Sequence, residues 1–124
     1  MTKLTASLED YLEVICNLAE ESNVIRAVDI SKKLNISRAS ATEALKKLVN
    51  KGFINYERHE KISLTEIGKT VAQDIVSKHS VLEMFFEEFL NLSKSEASEN
   101  ACKIEHVITE NAFNAIRNLV KTDK

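Results

Sequence analysis

The chain is almost free of helix-breaking residues, because its 124 residues include no proline and only two glycines, Gly52 and Gly68. Proline and glycine are the residues that most often interrupt periodic segments or open flexible linkers. No linker, repeat or low-complexity tract is visible. The pattern predicts a mainly α protein with one domain of ordinary size, or two small ones that share a core.

The apolar residues and the cysteines indicate in which cellular compartment the protein is found. They make up 44% of the chain, but no run approaches the roughly 18 apolar residues that span a bilayer, and the start lacks the charged-then-apolar pattern of a signal peptide. Two distant cysteines are typical of reduced thiols rather than of a disulfide scaffold, and Cys16 is expected in the core. We therefore expect a cytoplasmic protein.

Residues 27–52 have the pattern of two short helices joined by a tight turn. "AVDISKKLN" predicts one helix, and "ISRASATEALKKLVNKG" predicts another that Ser37 caps and Gly52 ends. Leu45, Leu48 and Val49 are expected on the buried side of the second helix. Small polar residues at its start are typical of the recognition helix of a helix-turn-helix.

The next segment predicts a β-hairpin. "FINYE" and "KISLT" each alternate apolar and polar residues, and the polar "RHE" lies between them. A hairpin that follows a helix-turn-helix forms a wing. The small β-hairpin wing and the helices around it together predict a winged helix-turn-helix DNA-binding domain over residues 1–73.

The flanking segments have helical spacing of apolar residues. The predicted helices are 7–21 capped by Ser7, Thr65 to about Leu90, Ser93 or Ser95 to Val107, and Thr109 to about Val120. Residues 74–124 are then a C-terminal helical domain. Its apolar stretches "VLEMFFEEFL" and "AFNAIRNLV" exceed what so few helices hide, which predicts a dimerisation interface or burial against the winged helix.

The charge is unevenly distributed. Residues 25–78 hold eleven Lys and Arg against six Asp and Glu, whereas the whole chain has a net charge of −2. A basic segment in an acidic protein indicates a surface for nucleic acid, although solvated basic helix faces are also common.

Candidate DNA contacts follow from the winged-helix pattern. The residues expected to enter the major groove lie at the start of the recognition helix: Ser37, Arg38, Ser40 and Thr42. Those expected to contact phosphates are basic: Arg26, Lys46, Lys47, Arg58 and Lys61. Capping is the alternative role for Ser37, and solvated surface is the alternative for each basic residue.

With these elements in this order, the chain resembles the diphtheria-toxin-repressor and manganese-transport-regulator family of metal-dependent transcriptional repressors. The likeness runs nearly end to end and is carried by "SLEDYLEVI", "DISKKLNISRASATEALKKLVNKGFINYE", "LTEIGKTVA", "KHSVLEMFF" and "ACKIEHVIT". The resemblance implies a homodimer that binds palindromic operator DNA only when divalent metal is loaded. It also implies metal ligands on the first, fourth and fifth helices.

The family's ligand positions map onto seven residues of this chain. They are Asp10, Glu13, His79, Glu83, Cys102, Glu105 and His106. Spacings of three and four residues would turn each group to one side of its helix. The structural alternatives are solvated carboxylates, a capping or packed His79 and an ordinary buried Cys102. Glu83 could be a ligand of a second metal, a partner that orients His79, or a surface charge.

The chain departs from the family pattern at two ligand positions. Manganese-selective members place a carboxylate where Cys102 stands, and iron-type members place Met where Asp10 stands. The softer thiolate favours Fe(II), and Asp10 with Glu13 favours Mn(II), so we predict Fe(II) ahead of Mn(II). Other divalent transition metals are expected to bind in vitro. Arg38 replaces a proline of some relatives, and the sequence ends where longer relatives continue into an SH3-like domain, as in the two-domain form.

Three function classes remain on the sequence alone. A metal-dependent repressor leads, and a winged-helix regulator of an organic ligand would keep the DNA chemistry without the metal. An enzyme with Cys102 as nucleophile and His106 as base would need an orienting group and an oxyanion pocket. The scarcity of glycine argues against an enzyme.

Overall fold

The computed structural model of the chain describes residues 4–21, 24–56 and 61–122. These form six helices and a two-stranded hairpin, in the order α1 (Ala6–Glu21), α2 (Ala27–Leu34), α3 (Arg38–Asn50), β1 (Ile54–Tyr56), β2 (Ile62–Leu64), α4 (Glu66–Glu88), α5 (Lys94–Ile104) and α6 (Glu110–Thr122). The mainly α fold with a small hairpin is confirmed. The chain divides into two compact units, Met1–Gln73 and Asp74–Lys124, so that α4 runs from the first into the second.

Side-chain oxygens begin most of the helices, as the sequence predicts. Each accepts a hydrogen bond from a backbone N–H three residues on: Ser37 from Ser40 at 3.0 Å, Thr65 from Gly68 at 3.0 Å, Ser93 from Glu96 at 3.1 Å and Thr109 from Ala112 at 3.2 Å. These bonds satisfy donors that have no partner within the helix.

The predicted cap of α1 is wrong. Helix α1 begins at Ala6, and the Thr5 hydroxyl accepts the Leu8 N–H at 3.1 Å, so Ser7 already lies inside the helix. A threonine two residues before the predicted cap offers the same oxygen, and nothing in the local sequence decides between them.

Helices α2 and α3 meet at a left-handed residue. Asn35 has φ of 55°, a conformation that asparagine tolerates better than most residues. Ile30, Leu45 and Leu48 are fully buried beside this turn. Val49 is 38% exposed, so its predicted burial is wrong. It follows Leu48 by one residue, which rotates its side chain about 100° away from the buried stripe.

The hairpin packs one face on the first unit. Ile54 pairs with Leu64 and Tyr56 with Ile62 in an antiparallel register. The Ile62 N–H also donates to the Ile25 carbonyl at 2.9 Å, which attaches the wing to the segment before α2. The turn "RHE", including Arg58, lies outside the described residues.

Gly68 allows α4 to begin against the loop that enters the wing. A Cβ at this position would collide with the Phe53 carbonyl oxygen. That carbonyl accepts the Thr65 N–H at 3.1 Å, and the Thr65 hydroxyl donates to the Gly52 carbonyl at 2.7 Å. Gly52 itself has φ of 84°, which favours glycine. Both glycines therefore serve the junction of α3, the wing and α4.

The second unit has its own small core. Leu82 of α4, Ala101 of α5 and Phe113 of α6 are buried together. Lys78 and Arg117 lie over the Phe113 ring, at 5.7 Å and 5.4 Å from its centroid. Among the residues that the structure describes, none of the helices combines the length and apolar content needed to cross a bilayer.

Candidate metal centre and DNA-binding surface

A buried carboxylate and an imidazole meet in the second unit. His79 of α4 and Glu105 at the end of α5 place Nδ1 and Oε1 2.8 Å apart. The Glu105 side chain is fully buried, and that of His79 is 19% exposed. Leu82 follows His79 by three residues, and Ala101 precedes Glu105 by four. Because Leu82 and Ala101 pack together in the core that joins α4 to α5, the same packing brings His79 and Glu105 together.

The second oxygen of Glu105 has an unusual environment. Oε2 is buried and accepts no hydrogen bond from any described residue. His106 Nε2 lies 3.6 Å from this oxygen, and the His106 side chain is only 8% exposed. A buried carboxylate oxygen without a donor costs roughly 1–3 kcal/mol. A cation held by Glu105 would remove that cost.

The chemistry of this cluster fits a divalent transition metal. One carboxylate and two imidazoles are ligands that first-row divalent ions accept. Oε1 of Glu105 faces His79, and Oε2 faces His106. A buried ionic group without full hydrogen bonding is typical of a ligand site. The residues present therefore match the donor set that a metal site requires.

The helix that carries these ligands ends earlier than predicted. Helix α5 stops at Ile104, and Glu105 and His106 lie in the following turn rather than on one helical stripe that runs to Val107. The Ile104 carbonyl accepts N–H groups from both Val107 and Ile108 at 2.9 Å, which tightens the chain before α6. Cys102 remains on α5 and is exposed.

Three further candidate ligands are on α1 and α4. Asp10 and Glu13 are half-buried, three residues apart on α1 in the first unit. Glu83 is half-buried on α4, one turn beyond His79. Among the described residues Glu83 makes no hydrogen bond or ion pair, so it is not joined to the His79–Glu105–His106 cluster.

Sequence reasoning missed Ser98. Its hydroxyl lies 3.4 Å from His79 Nε2, the ring nitrogen opposite the one that faces Glu105. Ser98 precedes Cys102 by four residues on α5, so helical spacing alone could have placed it beside the candidate ligands. A serine carries no signal of its own, so the sequence alone does not single it out.

The two cysteines should differ in reactivity. Burial raises the pKa of the Cys16 thiol, and the negative charges of Glu20 and Glu13 raise it further. A higher pKa leaves less thiolate at neutral pH, and the thiolate is the reactive form. We expect a disulfide reagent to label Cys102 rapidly and Cys16 slowly, as measured in the single variants Cys16→Ser and Cys102→Ser. Unfolding in urea should make the two rates similar. Equal rates in the folded variants would contradict this expectation.

Several of the DNA-contact candidates line one groove of the first unit. The groove has a volume of about 710 Å³ and is lined by Arg26, Arg38, Thr42 and Lys46, together with the apolar Val49 and the ring of Tyr56 from the wing. Three cations around one concavity give a positive surface between recognition helix and wing. Tyr56 was not among the predicted contacts, because its place in the strand pattern already explained it.

The remaining candidates are arranged differently. Ser37 caps α3, and its hydroxyl is 3.0 Å from that of Ser40. Ser40 and Lys47 line a separate depression beside α1. Lys61 is exposed, one residue before β2. The structure thus groups Arg26, Arg38 and Lys46 but not the whole predicted set.

A winged helix-turn-helix with a basic groove, continued in sequence by a helical unit with a buried carboxylate–imidazole cluster, defines a DNA-binding regulator of the metal-responsive class. Two family profiles match the chain. "Iron dependent repressor, N-terminal DNA binding domain" covers residues 3–62, and "Iron dependent repressor, metal binding and dimerisation domain" covers residues 65–123.

Known proteins give the same result. An uncharacterized HTH-type transcriptional regulator of Methanocaldococcus jannaschii is 38% identical over 115 residues, 92% of each chain. The HTH-type transcriptional regulator MntR of Geobacillus thermodenitrificans is 32% identical over 94% of this chain and 82% of that protein. The chain belongs to the iron-dependent repressor family, that of the diphtheria-toxin repressor and the manganese-transport regulator. It is a metal-dependent transcriptional repressor of that family, which consists of repressors and not of enzymes, as predicted.

Solved structures confirm the fold. A manganese-dependent transcriptional repressor in complex with manganese superposes with a TM-score of 0.85 at 23% identity and covers 92% of this chain and 52% of that one. IdeR of T. acidophilum superposes with a TM-score of 0.82 at 25% identity and covers 100% of this chain and 57% of that one. The chain therefore spans little more than half the length of these two solved proteins.

Proposed function

We propose that this protein represses transcription by binding a palindromic operator as a homodimer when Fe(II), or alternatively Mn(II), is bound. The observation that carries the metal part is the buried Glu105 Oε2, which accepts no hydrogen bond from the described residues and faces His106 Nε2 at 3.6 Å. Such an oxygen is satisfied by a cation. Binding to chromosomal DNA with a reduced thiol as ligand fits action in the cytoplasm.

The proposed ligands are the seven residues that the family resemblance supplies. They are Asp10, Glu13, His79, Glu83, Cys102, Glu105 and His106. A bound divalent ion would offset part of the negative charge of these carboxylates, and the two imidazoles could add neutral nitrogen ligands. Cys102 supplies a soft thiolate, which supports Fe(II) over Mn(II), whereas Asp10 and Glu13 are hard ligands that suit either ion.

The proposed operator contacts divide into two kinds. Arg38 and Thr42, near the start of α3, are the groove-lining candidates for base edges, together with Ser37 and Ser40 at the helix N-terminus. The basic side chains Arg26, Lys46, Lys47, Arg58 and Lys61 are the candidates for phosphates, and their contribution should weaken with salt. Two winged helices in a dimer would read half-sites about 34 Å apart on one face of the duplex.

The homodimer is proposed to form through the second unit. Exposed large apolar side chains among its described residues are Phe89, Leu90, Val107 and Leu119. Phe89 stacks on Phe85 with ring centroids 5.5 Å apart, which makes an apolar surface that extends beyond the end of α4. The family profile over this part of the chain is named for metal binding and dimerisation.

A metal-panel titration tests this function. An operator duplex selected from random DNA in the presence of metal would be titrated with the protein anaerobically, with Fe(II), Mn(II), Co(II) or Zn(II), or with chelator. We expect tight binding with Fe(II) and Mn(II), with the lower activating concentration for Fe(II), and weak salt-sensitive binding with chelator. Equal affinity with chelator and with every metal would contradict metal control and favour a regulator of an organic ligand.

A further inference from the structure

Both ring nitrogens of His79 have a partner within the second unit. Nδ1 is 2.8 Å from Glu105 Oε1, and Nε2 is 3.4 Å from Ser98 Oγ. Ser98 is half-buried on α5, two turns before the turn that holds Glu105. The imidazole is therefore held between a carboxylate on one side and a hydroxyl on the other.

We propose that Ser98 is a positioning residue that holds the Nε2–H of His79 and so leaves the Nδ1 lone pair available to a metal beside Glu105. The inference rests on the proposed function, since it concerns the same metal. It assigns a role to a residue outside the seven candidate ligands.

The contact of His79 with Glu105, at 2.8 Å, is shorter than its contact with Ser98, at 3.4 Å. An ionised carboxylate and an unprotonated imidazole nitrogen are both acceptors, so a separation of 2.8 Å requires a proton or a cation between them. A proton there makes Nδ1 the donor and Nε2 the acceptor. If a cation is there instead, it takes the lone pairs of Nδ1 and of the carboxylate oxygen. The single proton of the neutral ring must then be on Nε2.

The group that faces Nε2 must therefore be able to pair with either tautomer of the ring. A serine hydroxyl can donate to Nε2 in one and accept the Nε2–H in the other, because it carries one O–H and two lone pairs. Alanine can do neither. An outer partner that accepts the second N–H of a ligand histidine fixes the ring's orientation, and losing it typically weakens metal affinity by roughly 10–100-fold. At 3.4 Å the Ser98 contact is at the long end of the hydrogen-bonding range, so we expect an effect near the lower figure.

The chain offers matched variants. Ser98→Ala removes the hydroxyl, and Ser98→Thr keeps it. Ser95→Ala makes the same deletion at an exposed position on α5, one turn earlier. Full-length proteins without DNA would be titrated with Mn(II) by calorimetry, and the ring nitrogens of His79 would be observed by nitrogen NMR with diamagnetic Zn(II).

We expect Ser98→Ala to weaken Mn(II) binding by about tenfold, with Ser98→Thr and Ser95→Ala close to the wild type. Zn(II)-loaded wild type should carry its His79 proton on Nε2 alone, and Ser98→Ala should show a mixture of tautomers or a ring without a fixed orientation. Unchanged or tighter Mn(II) binding in Ser98→Ala would overturn the inference while the proposed function stands, and tighter binding would mean that the hydroxyl competes with metal for Nε2. Failure of the wild type to bind Mn(II) or Zn(II) would instead overturn the proposed function, and this inference with it.

Discussion

Glu105→Gln should abolish metal-activated operator binding and leave the metal-free protein folded. The substitution keeps the size of the side chain and removes the charge that a cation needs at the cluster. Its effect on metal affinity should exceed the roughly 10–100-fold typical of losing an outer partner, because Glu105 faces both histidines. Metal affinity by calorimetry and operator affinity by fluorescence anisotropy would measure it.

The fold should survive this substitution for a local reason. The amide oxygen can still accept from His79 Nδ1–H, and the amide nitrogen can donate toward His106 Nε2, 3.6 Å from the present oxygen. The buried oxygen without a donor is thereby replaced by a group that can pair, so unfolding in urea without metal should show unchanged or greater stability.

The matched control is Glu99→Gln on the same helix. Glu99 is exposed and pairs with Lys103, four residues away, at 3.1 Å. Such a surface ion pair has a small energetic value. This variant should keep metal-activated binding. If Glu105→Gln behaved like Glu99→Gln, Glu105 would not be a metal ligand.

Leu119→Glu should separate the proposed dimer and so remove most of the operator affinity. Leu119 is 50% exposed on α6, in the unit proposed to dimerise, so a carboxylate there would be solvated in a monomer and desolvated at an interface. A monomer also loses the gain from binding two half-sites at once, which we estimate at about 10²–10⁴ in affinity from the general behaviour of linked sites. Sedimentation velocity and operator titration would detect both changes.

Ile67→Glu is the control for charge placed on an exposed apolar helix position. Ile67 is 63% exposed in the first turn of α4 and belongs to the first unit. Its variant should sediment like the wild type. A Leu119→Glu protein that remained dimeric would place the interface elsewhere.

The fold was predictable where one local signal determined each element. Ser37, Thr65 and Thr109 begin helices because each hydroxyl meets an N–H three residues on. Of the two starts predicted for α5, Ser93 and Ser95, Ser93 is the cap. Predictions failed where two local solutions had similar energy. Thr5 and Ser7 could both cap α1, and only the packed helix selects Thr5. The end of α5 depends on the turn into α6, which residue spacing does not encode.

The candidate site was predictable by residue type and family pattern but not by geometry. His79 and Glu105 are 26 residues apart, and no local pattern sets their 2.8 Å contact. The burial of Glu105 depends on the core that α4, α5 and α6 form together. Ser98 could not be predicted, because its hydroxyl gains a role only through its contact with His79, which the sequence does not show.

We expect that metal bound through Glu105 and operator DNA favour the same state of the protein. A shift from about 1:99 to 99:1 in the binding-competent state requires a preference of roughly 5.5 kcal/mol. Thermodynamic coupling is reciprocal, so operator DNA must raise metal affinity by the factor by which metal raises operator affinity.

The direct test is a pair of anaerobic calorimetric titrations of Mn(II) into the protein, one with and one without saturating operator duplex. The account predicts tighter Mn(II) binding with operator, by the same factor that anisotropy gives for tighter operator binding with Mn(II). Identical Mn(II) affinity in the two titrations would contradict it, because a metal that binds equally well with and without DNA cannot control repression.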